Sequence, residues 1–249
     1  VRDTLTIDRR FCGPPDSANG GYACGAAAGM LDTDPVEVTL RRPPPLDRAL
    51  RVQAADRGVV VLDDAEVVLE ARPAALTADA PPAVSLAAAT RAAAAFDRAR
   101  YAAEHPFPTC FTCGPSRPAG DGLEIFPGRV GDRGDLVAWP WVPGRALAGP
   151  DGRVEAPFLW AALDCPSGLV WLDGAGRGPA VLGRMTTTLR RRPVVGEPLV
   201  VGAWRVAARG RKLHSGSAVW SRDGEVVAVN AATWITLTDD QQAAFLPAT

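Results

Sequence analysis

Four short stretches of this chain carry residue types and spacings that could do chemistry. The first is Asn19-Gly20-Gly21-Tyr22, at the head of the small-residue run Gly20–Leu31. A helix opening there presents unpaired backbone N–H groups at the positive end of its dipole, and glycines let a carbonyl or anionic oxygen reach them. A plain turn with Asn19 as helix cap fits the same residues. The second is Asp164, inside Trp160-Ala161-Ala162-Leu163-Asp164-Cys165-Pro166. Buried among such neighbours, a carboxyl titrates high and suits a general base, or less readily a nucleophile. The alternative is a carboxylate capping the turn before Pro166. The third is the basic cluster Arg209, Arg211 and Lys212. It suits phosphate oxygens, or equally a solvated strand edge kept from aggregating by charge. Arg41-Arg42 and Arg190-Arg191-Arg192 read as strand ends. The fourth is His105-x4-Cys110-x2-Cys113, with Cys12 available as a further thiol. These are zinc-ligand types, but only one pair is local and no thioredoxin-like pattern surrounds it. Free thiols in a loop are therefore the reading adopted, and no metal is expected. Cys165 as a nucleophile would need a histidine beside it, and nothing in the sequence places His105 or His214 there.

The rest of the chain must position these groups. Its 249 residues are 47% hydrophobic with a formal net charge of −1, an ordinary globular composition. That balance gives no reason to expect nucleic acid, whose binding leans on many basic side chains. Five cysteines are an odd number, which argues against a secreted disulfide framework. No basic-plus-apolar signal is visible at the N-terminus. No uncharged apolar run reaches the roughly 18 residues of a membrane span, and Arg91 interrupts the Ala-rich stretch. A cytoplasmic location is expected.

The sequence repeats itself. Thr39-Leu40-Arg41-Arg42, Pro44, Leu50 and Val52 reappear as Thr188-Leu189-Arg190-Arg191, Pro193, Leu199 and Val201, an offset of 188 − 39 = 149. Asp64-x-Glu66-Val67-Val68 reappears as Asp223-x-Glu225-Val226-Val227, at offset 159, so the second copy carries about ten extra residues between those points. In the first copy a helix over 20–31 precedes strand-like runs at 36–40, 50–54, 59–62 and 66–71. In the second, runs at 123–126 and 136–141 precede an apolar helix, 158–164, stopped by Pro166 and Gly168. Strands follow at 181–189, 199–207, 213–220 and 226–237. Between the copies, 85–104 reads as one long Ala-rich helix and His105–Asp121 as a loop. The expected organisation is an N-terminal half (1–82), a linker helix with a Cys-containing loop (83–121) and a C-terminal half (122–249).

A helix wrapped by an antiparallel meander, used twice, resembles the hotdog fold. The resemblance is carried by Ser17-x-Asn19-Gly20-Gly21-Tyr22, similar to the glycine loop opening the central helix of many hotdog thioesterases. It is carried also by Trp160–Pro166, similar to their acid-bearing helix. Gly210-Arg211-Lys212 with Ser215-Gly216-Ser217-Ala218 is similar to actinobacterial thioesterase-like double hotdogs. The implied fold class is α+β, a fused double hotdog of two tandem halves. The resemblance implies one composite site, with Asn19, Gly20, Gly21 and Tyr22 from one half and Asp164 from the other. The opposite site is degenerate, since the first half has no acid between Gly20 and Met30 and the second shows Glu155-Ala156-Pro157 in place of the glycine pair. In that composite site the N–H of Gly21 or Tyr22 would form the oxyanion hole and Asp164 would activate water.

The reaction this implies is hydrolysis of an acyl-CoA or carrier-bound acyl thioester, with coenzyme A part of the substrate and no other cofactor. Arg209, Arg211 and Lys212 would bind its phosphates. The chain departs from the fused acyl-CoA thioesterases in lacking the Gln that stands with Thr beside their Asp. Thr186, Thr188 or Asn230 are the polar residues available instead. A non-catalytic acyl-CoA binder of the same fold is the alternative, and a hotdog hydratase or dehydratase ranks last for want of a suitably placed histidine. Seven tryptophans could contribute to an acyl tunnel, though a core role is their default. Double hotdogs often pair further through sheet edges, so a homodimer is implied.

Overall fold

Short Val-, Leu- and Ala-rich runs punctuated by Pro, Asp and Gly give this chain eleven strands and five helices in its computed structural model, which describes residues 3–76, 79–171 and 178–245. In chain order these are β1 (Thr4–Leu5), α1 (Gly20–Ala28), β2 (Val36–Leu40), β3 (Leu50–Ala55), β4 (Gly58–Asp63), β5 (Glu66–Pro73), α2 (Leu86–Ala94) and α3 (Arg98–Glu104). Then come β6 (Gly128–Val130), β7 (Arg133–Trp141), α4 (Ala156–Leu169), β8 (Ala180–Leu189), β9 (Leu199–Arg209), β10 (Lys212–Ser221), β11 (Val226–Thr236) and α5 (Asp239–Phe245). The strands form one sheet in the order β1-β3-β4-β5-β2-β8-β11-β10-β9-β7-β6.

The middle of that sheet is where the two halves meet. Strands β2 and β8 pair antiparallel with Glu37 opposite Thr186, flanked by Val36 opposite Thr187 and Val38 opposite Met185. The difference 186 − 37 is 149, the offset of the Thr-Leu-Arg-Arg match. The pairing is therefore centred where a residue faces its own counterpart, and β3-β4-β5-β2 on one side is answered by β9-β10-β11-β8 on the other. The ten-residue excess of the second copy lengthens one hairpin. Strands β3 and β4 have 6 residues each, whereas β9 has 11 and β10 has 10.

Helices α1 and α4 lie together on one face of the sheet. Every residue of α4 from Phe158 to Ser167 is buried. The opposite face of the second half is covered by α2 and the residues just before it, where Ala89 and Val84 pack with Leu136, Ala138, Val200, Ala218 and Trp220. Strand β10 is accordingly buried on both sides, with Leu213 and Val219 toward the helical core and Ala218 and Trp220 toward α2.

Three sequence expectations need correction. The segment 85–104 is two helices, because Asp97 accepts the Arg100 N–H as a fresh N-cap and Phe96 turns into a ring cluster with Tyr101, Phe126 and Trp139. The run 123–126 buries Leu123, Ile125 and Phe126 but is not a strand. Glu124 has φ of +53°, and the N–H groups of Leu123 and Ile125 bond the carbonyls of Phe111 and Thr112. Helix α4 continues through Pro166 and Gly168 to Leu169. Proline removes the N–H that would bond the carbonyl four residues back. Hydroxyls from neighbouring segments support the helix around that break: Thr112 Oγ1 donates to the Ala161 carbonyl at 3.0 Å and Ser217 Oγ to the Leu163 carbonyl at 2.7 Å. Gly168 is a packing position, since a Cβ there would meet the Trp234 ring at 2.8 Å. Among the described residues, no helix is long and apolar enough to cross a membrane.

Glycines set how closely α1 and α4 approach. A Cβ on Gly25 would lie 2.7 Å from Pro157 Cα and 2.9 Å from Trp160 Cβ; one on Gly21 would lie 2.6 Å from the Trp160 carbonyl oxygen. Gly25→Ala should destabilise the protein by about 2 kcal/mol in urea unfolding, because overpacking against backbone outweighs alanine's helix propensity, worth about 1 kcal/mol. Gly29→Ala, at a helix end whose nearest neighbours are 3.5 Å away, should be neutral or stabilising. Equal midpoints for Gly25→Ala and wild type would refute this account of the interface.

Candidate active site

The N-terminus of α1 ends against the side of α4, and that contact gathers most of the singled-out residues. Asn19 caps α1, its Oδ1 accepting the Tyr22 N–H at 2.9 Å. Its Nδ2 donates to Asp164 Oδ2 at 3.1 Å, and the Gly21 N–H donates to the same oxygen at 2.8 Å. Asp164 is only 2% exposed, and its Oδ1 has no protein partner. Burial pushes its pKa up to about 7; the nearby Cys110 adds to the rise, while the Gly21 and Asn19 donors oppose it.

This geometry corrects the expected oxyanion hole. The Gly21 N–H is held by Asp164 and the Tyr22 N–H by Asn19, so both amides are already engaged. The space beside Gly21 is filled by α4, with Asp164 Cβ 2.5 Å from where a Cβ would stand. The Tyr22 ring stacks on Phe11 with centroids 4.1 Å apart. At the counterpart end, Glu155 makes no side-chain cap and Pro157 has no N–H to donate. Nor do the suggested polar partners bond Asp164. Thr186 reaches Glu37, while Asn230 is held by Thr187 and Ser217 beneath α4. Thr188 is buried in β8, and no hydrogen bond joins it to Asp164 among the described residues.

Asn19, Gly20 and Asp164 line a cavity of about 310 Å³ between the halves, a size suited to a small-molecule ligand. Its walls are mainly apolar, with Leu40, Pro44, Val181, Leu182, Trp234 and Ile235. Trp234 is the tryptophan in this wall among the described residues, anchored by its Nε1 to Ser167 Oγ at 2.8 Å. The basic side chains lining the cavity are Arg41 and Arg42, paired with Glu70 at 2.7 Å and Glu66 at 2.5 Å. They come from the repeated strand end that sequence reasoning set aside. Arg209, Arg211 and Lys212 instead sit at the tip of the lengthened β9–β10 hairpin. Of these, Arg211 donates at 2.9 Å to Oε1 of Gln241, which lines the cavity.

A second cluster adjoins the cavity. The sulfurs of Cys110, Cys113 and Cys165 lie within 4.8 Å of one another, and His105 Nε2 is 3.4 Å from Cys113 Sγ. Hydrogen bonding from Cys113 and Cys165 holds the Cys110 thiol well below its ordinary pKa, and the same contacts push those two partners up. The thiol that joins the local pair is thus Cys165, and Cys12 bonds the Thr109 carbonyl instead. All five cysteines are free. Asn19 Nδ2 also approaches Cys110 Sγ at 3.7 Å and Cys165 Sγ at 3.6 Å, so one amide touches both clusters. Asn19→Ala should cost about 2 kcal/mol in urea unfolding, roughly twice the cost of removing the exposed cap in Ser85→Ala, because it strips both a helix cap and a buried carboxylate's donor. Equal costs for the two would show that the Asn19–Asp164 bond adds no stability.

No family model matches the sequence, and no curated protein matches it. Solved structures do. The tesB protein of Mycobacterium avium subsp. paratuberculosis matches with a TM-score of 0.54 at 14% identity, over 89% of this chain and 88% of that one. Zebrafish thioesterase superfamily member 2 matches 49% of this chain with 89% of its own, at 13% identity and a TM-score of 0.44. A hypothetical thioesterase protein from Streptococcus pneumoniae TIGR4, solved with coenzyme A, matches 42% of this chain with 80% of its own, at 15% identity and 0.40. With two helices against one continuous sheet and a near full-length match to the first of these, the chain has the α+β double hotdog fold.

Proposed function

We propose that this protein binds an acyl thioester, linked to coenzyme A or to a carrier, in the cavity between its halves and hydrolyses it with Asp164. The observation that carries the reading is the state of that carboxyl: set in the cavity wall, anchored through Oδ2 by donors from the other half, and buried without a partner at Oδ1. As a general base, the Asp164 carboxyl takes a proton from water while the water oxygen attacks the thioester carbonyl, and the proton then passes to the departing thiolate. Arg41 and Arg42 stand in the wall where the phosphates of a bound coenzyme A could be met.

A second reading, acyl-thioester binding without turnover, is favoured by one observation: both helix-terminal amides are engaged within the protein. Hydratase chemistry gains nothing, since neither histidine lines the cavity among the described residues. Thiol release from short, long and aryl acyl-CoAs should be measured for wild type and Asp164→Asn, which keeps an acceptor for the Gly21 N–H. Loss of the base should lower kcat by about 10²-fold or more, while acyl-CoA still raises the Tm of the variant. Thermal stabilisation without turnover on any substrate would select the binder. Turnover unchanged in Asp164→Asn would remove Asp164 from the mechanism.

A further inference from the structure

We propose that Cys110, Cys113 and Cys165 bind a zinc ion as three thiolates, with water completing the tetrahedron from a small adjoining cavity. This site does not depend on the hydrolysis reading.

The geometry fits the ion. Zinc–thiolate bonds of about 2.3 Å in a tetrahedron put neighbouring sulfurs about 3.8 Å apart. Cys110 Sγ and Cys165 Sγ are 3.6 Å apart, and the third sulfur lies within 4.8 Å of both. The three sulfurs face a cavity of about 60 Å³ that His105 also lines, space for an ion and its water. N–H groups surround the cluster as thiolates require. The backbone N–H groups of Thr112 and Cys113 point at Cys110 Sγ, and Asn19 Nδ2 approaches two of the three sulfurs. The tight turn after the second cysteine depends on Gly114, where a Cβ would fall 2.5 Å from the Cys110 nitrogen. Soft thiolates in this arrangement select zinc over harder divalent ions.

His105 has a supporting part. Its Nδ1 accepts the Phe107 N–H at 3.0 Å, so the neutral ring carries its proton on Nε2, 3.4 Å from Cys113 Sγ. It donates to that thiolate, leaving the fourth position to water. Zinc entry displaces to solvent whatever protons the three thiols still carry, and the net negative charge of three thiolates on one zinc is met by these donors. Because Cys165 follows Asp164 in α4, the ion ties the connector loop to the helix that presents the carboxyl.

The test loads the full-length protein with zinc chloride, passes it through gel filtration and measures bound metal, with cobalt chloride as the spectroscopic probe. The expected result is one zinc per chain. Cobalt should give thiolate charge-transfer bands in the near-ultraviolet and the visible bands of a tetrahedral ion. Cys110→Ser and Cys165→Ser should lose the metal, Cys12→Ser should keep it, and His105→Ala should weaken affinity by about 10-fold or more. Wild-type protein that retains no zinc, shows no cobalt–thiolate bands, or carries a Cys110–Cys165 disulfide as purified overturns the proposal. So does zinc retained unchanged by both Cys110→Ser and Cys165→Ser.

Discussion

One contact organises this molecule: the approach of α1 to α4 so close that a backbone N–H of one helix bonds a side chain of the other. Gly21 makes it possible, since any Cβ there would strike Trp160 and Asp164, and the space that glycine leaves is what lets its N–H reach Asp164 Oδ2 at 2.8 Å. A buried carboxyl with no donors would be far costlier than one with two. Asn19 supplies the second donor while capping its own helix, so helix capping, interface packing and carboxyl orientation rest on Asn19 and Gly21.

The burial of α4 is the second constraint. A helix enclosed along ten consecutive residues has no solvent to serve its carbonyls, so the surrounding structure provides hydroxyls to Ala161 and Leu163, on either side of the carbonyl that Pro166 leaves without its N–H. Ser217 serves this need and is itself bonded by Asn230, which is bonded in turn by Thr187, a chain of buried polar groups crossing three strands. Of these residues Ser217 bonds the helix directly, and it stands on the longer of the two matching hairpins.

Much of this was legible in the sequence, and the omissions have physical causes. The repeated Thr-Leu-Arg-Arg placed β2 and β8 in equivalent positions, and apart from 123–126 the strand runs fell within a few residues of their observed ends. The break between α2 and α3 was hidden because Ala95, Phe96 and Asp97 conflict with a helix only through tertiary packing of the Phe96 ring. Gly21 was conspicuous, but a missing Cβ does not say whether a ligand or another helix takes the space. Cys165 could not be joined to Cys110 and Cys113 without the fold, since it lies 55 residues beyond Cys110 in the chain. Arg41 and Arg42 looked like strand ends, which they are, and only the curvature of the chain after β2 brings them to the cavity.

The pairing of β2 with β8 has a consequence for concentration. Were the two halves separate molecules, Asp164 and its donors would be assembled by a bimolecular equilibrium, and dilution would take the cavity apart. Here the connector from α2 through the cysteine loop holds the halves on one chain, so their association is intramolecular, with an effective concentration on the order of millimolar or more set by the linker. The composite arrangement of Asn19, Gly21 and Asp164 is thus insulated from how much protein is present.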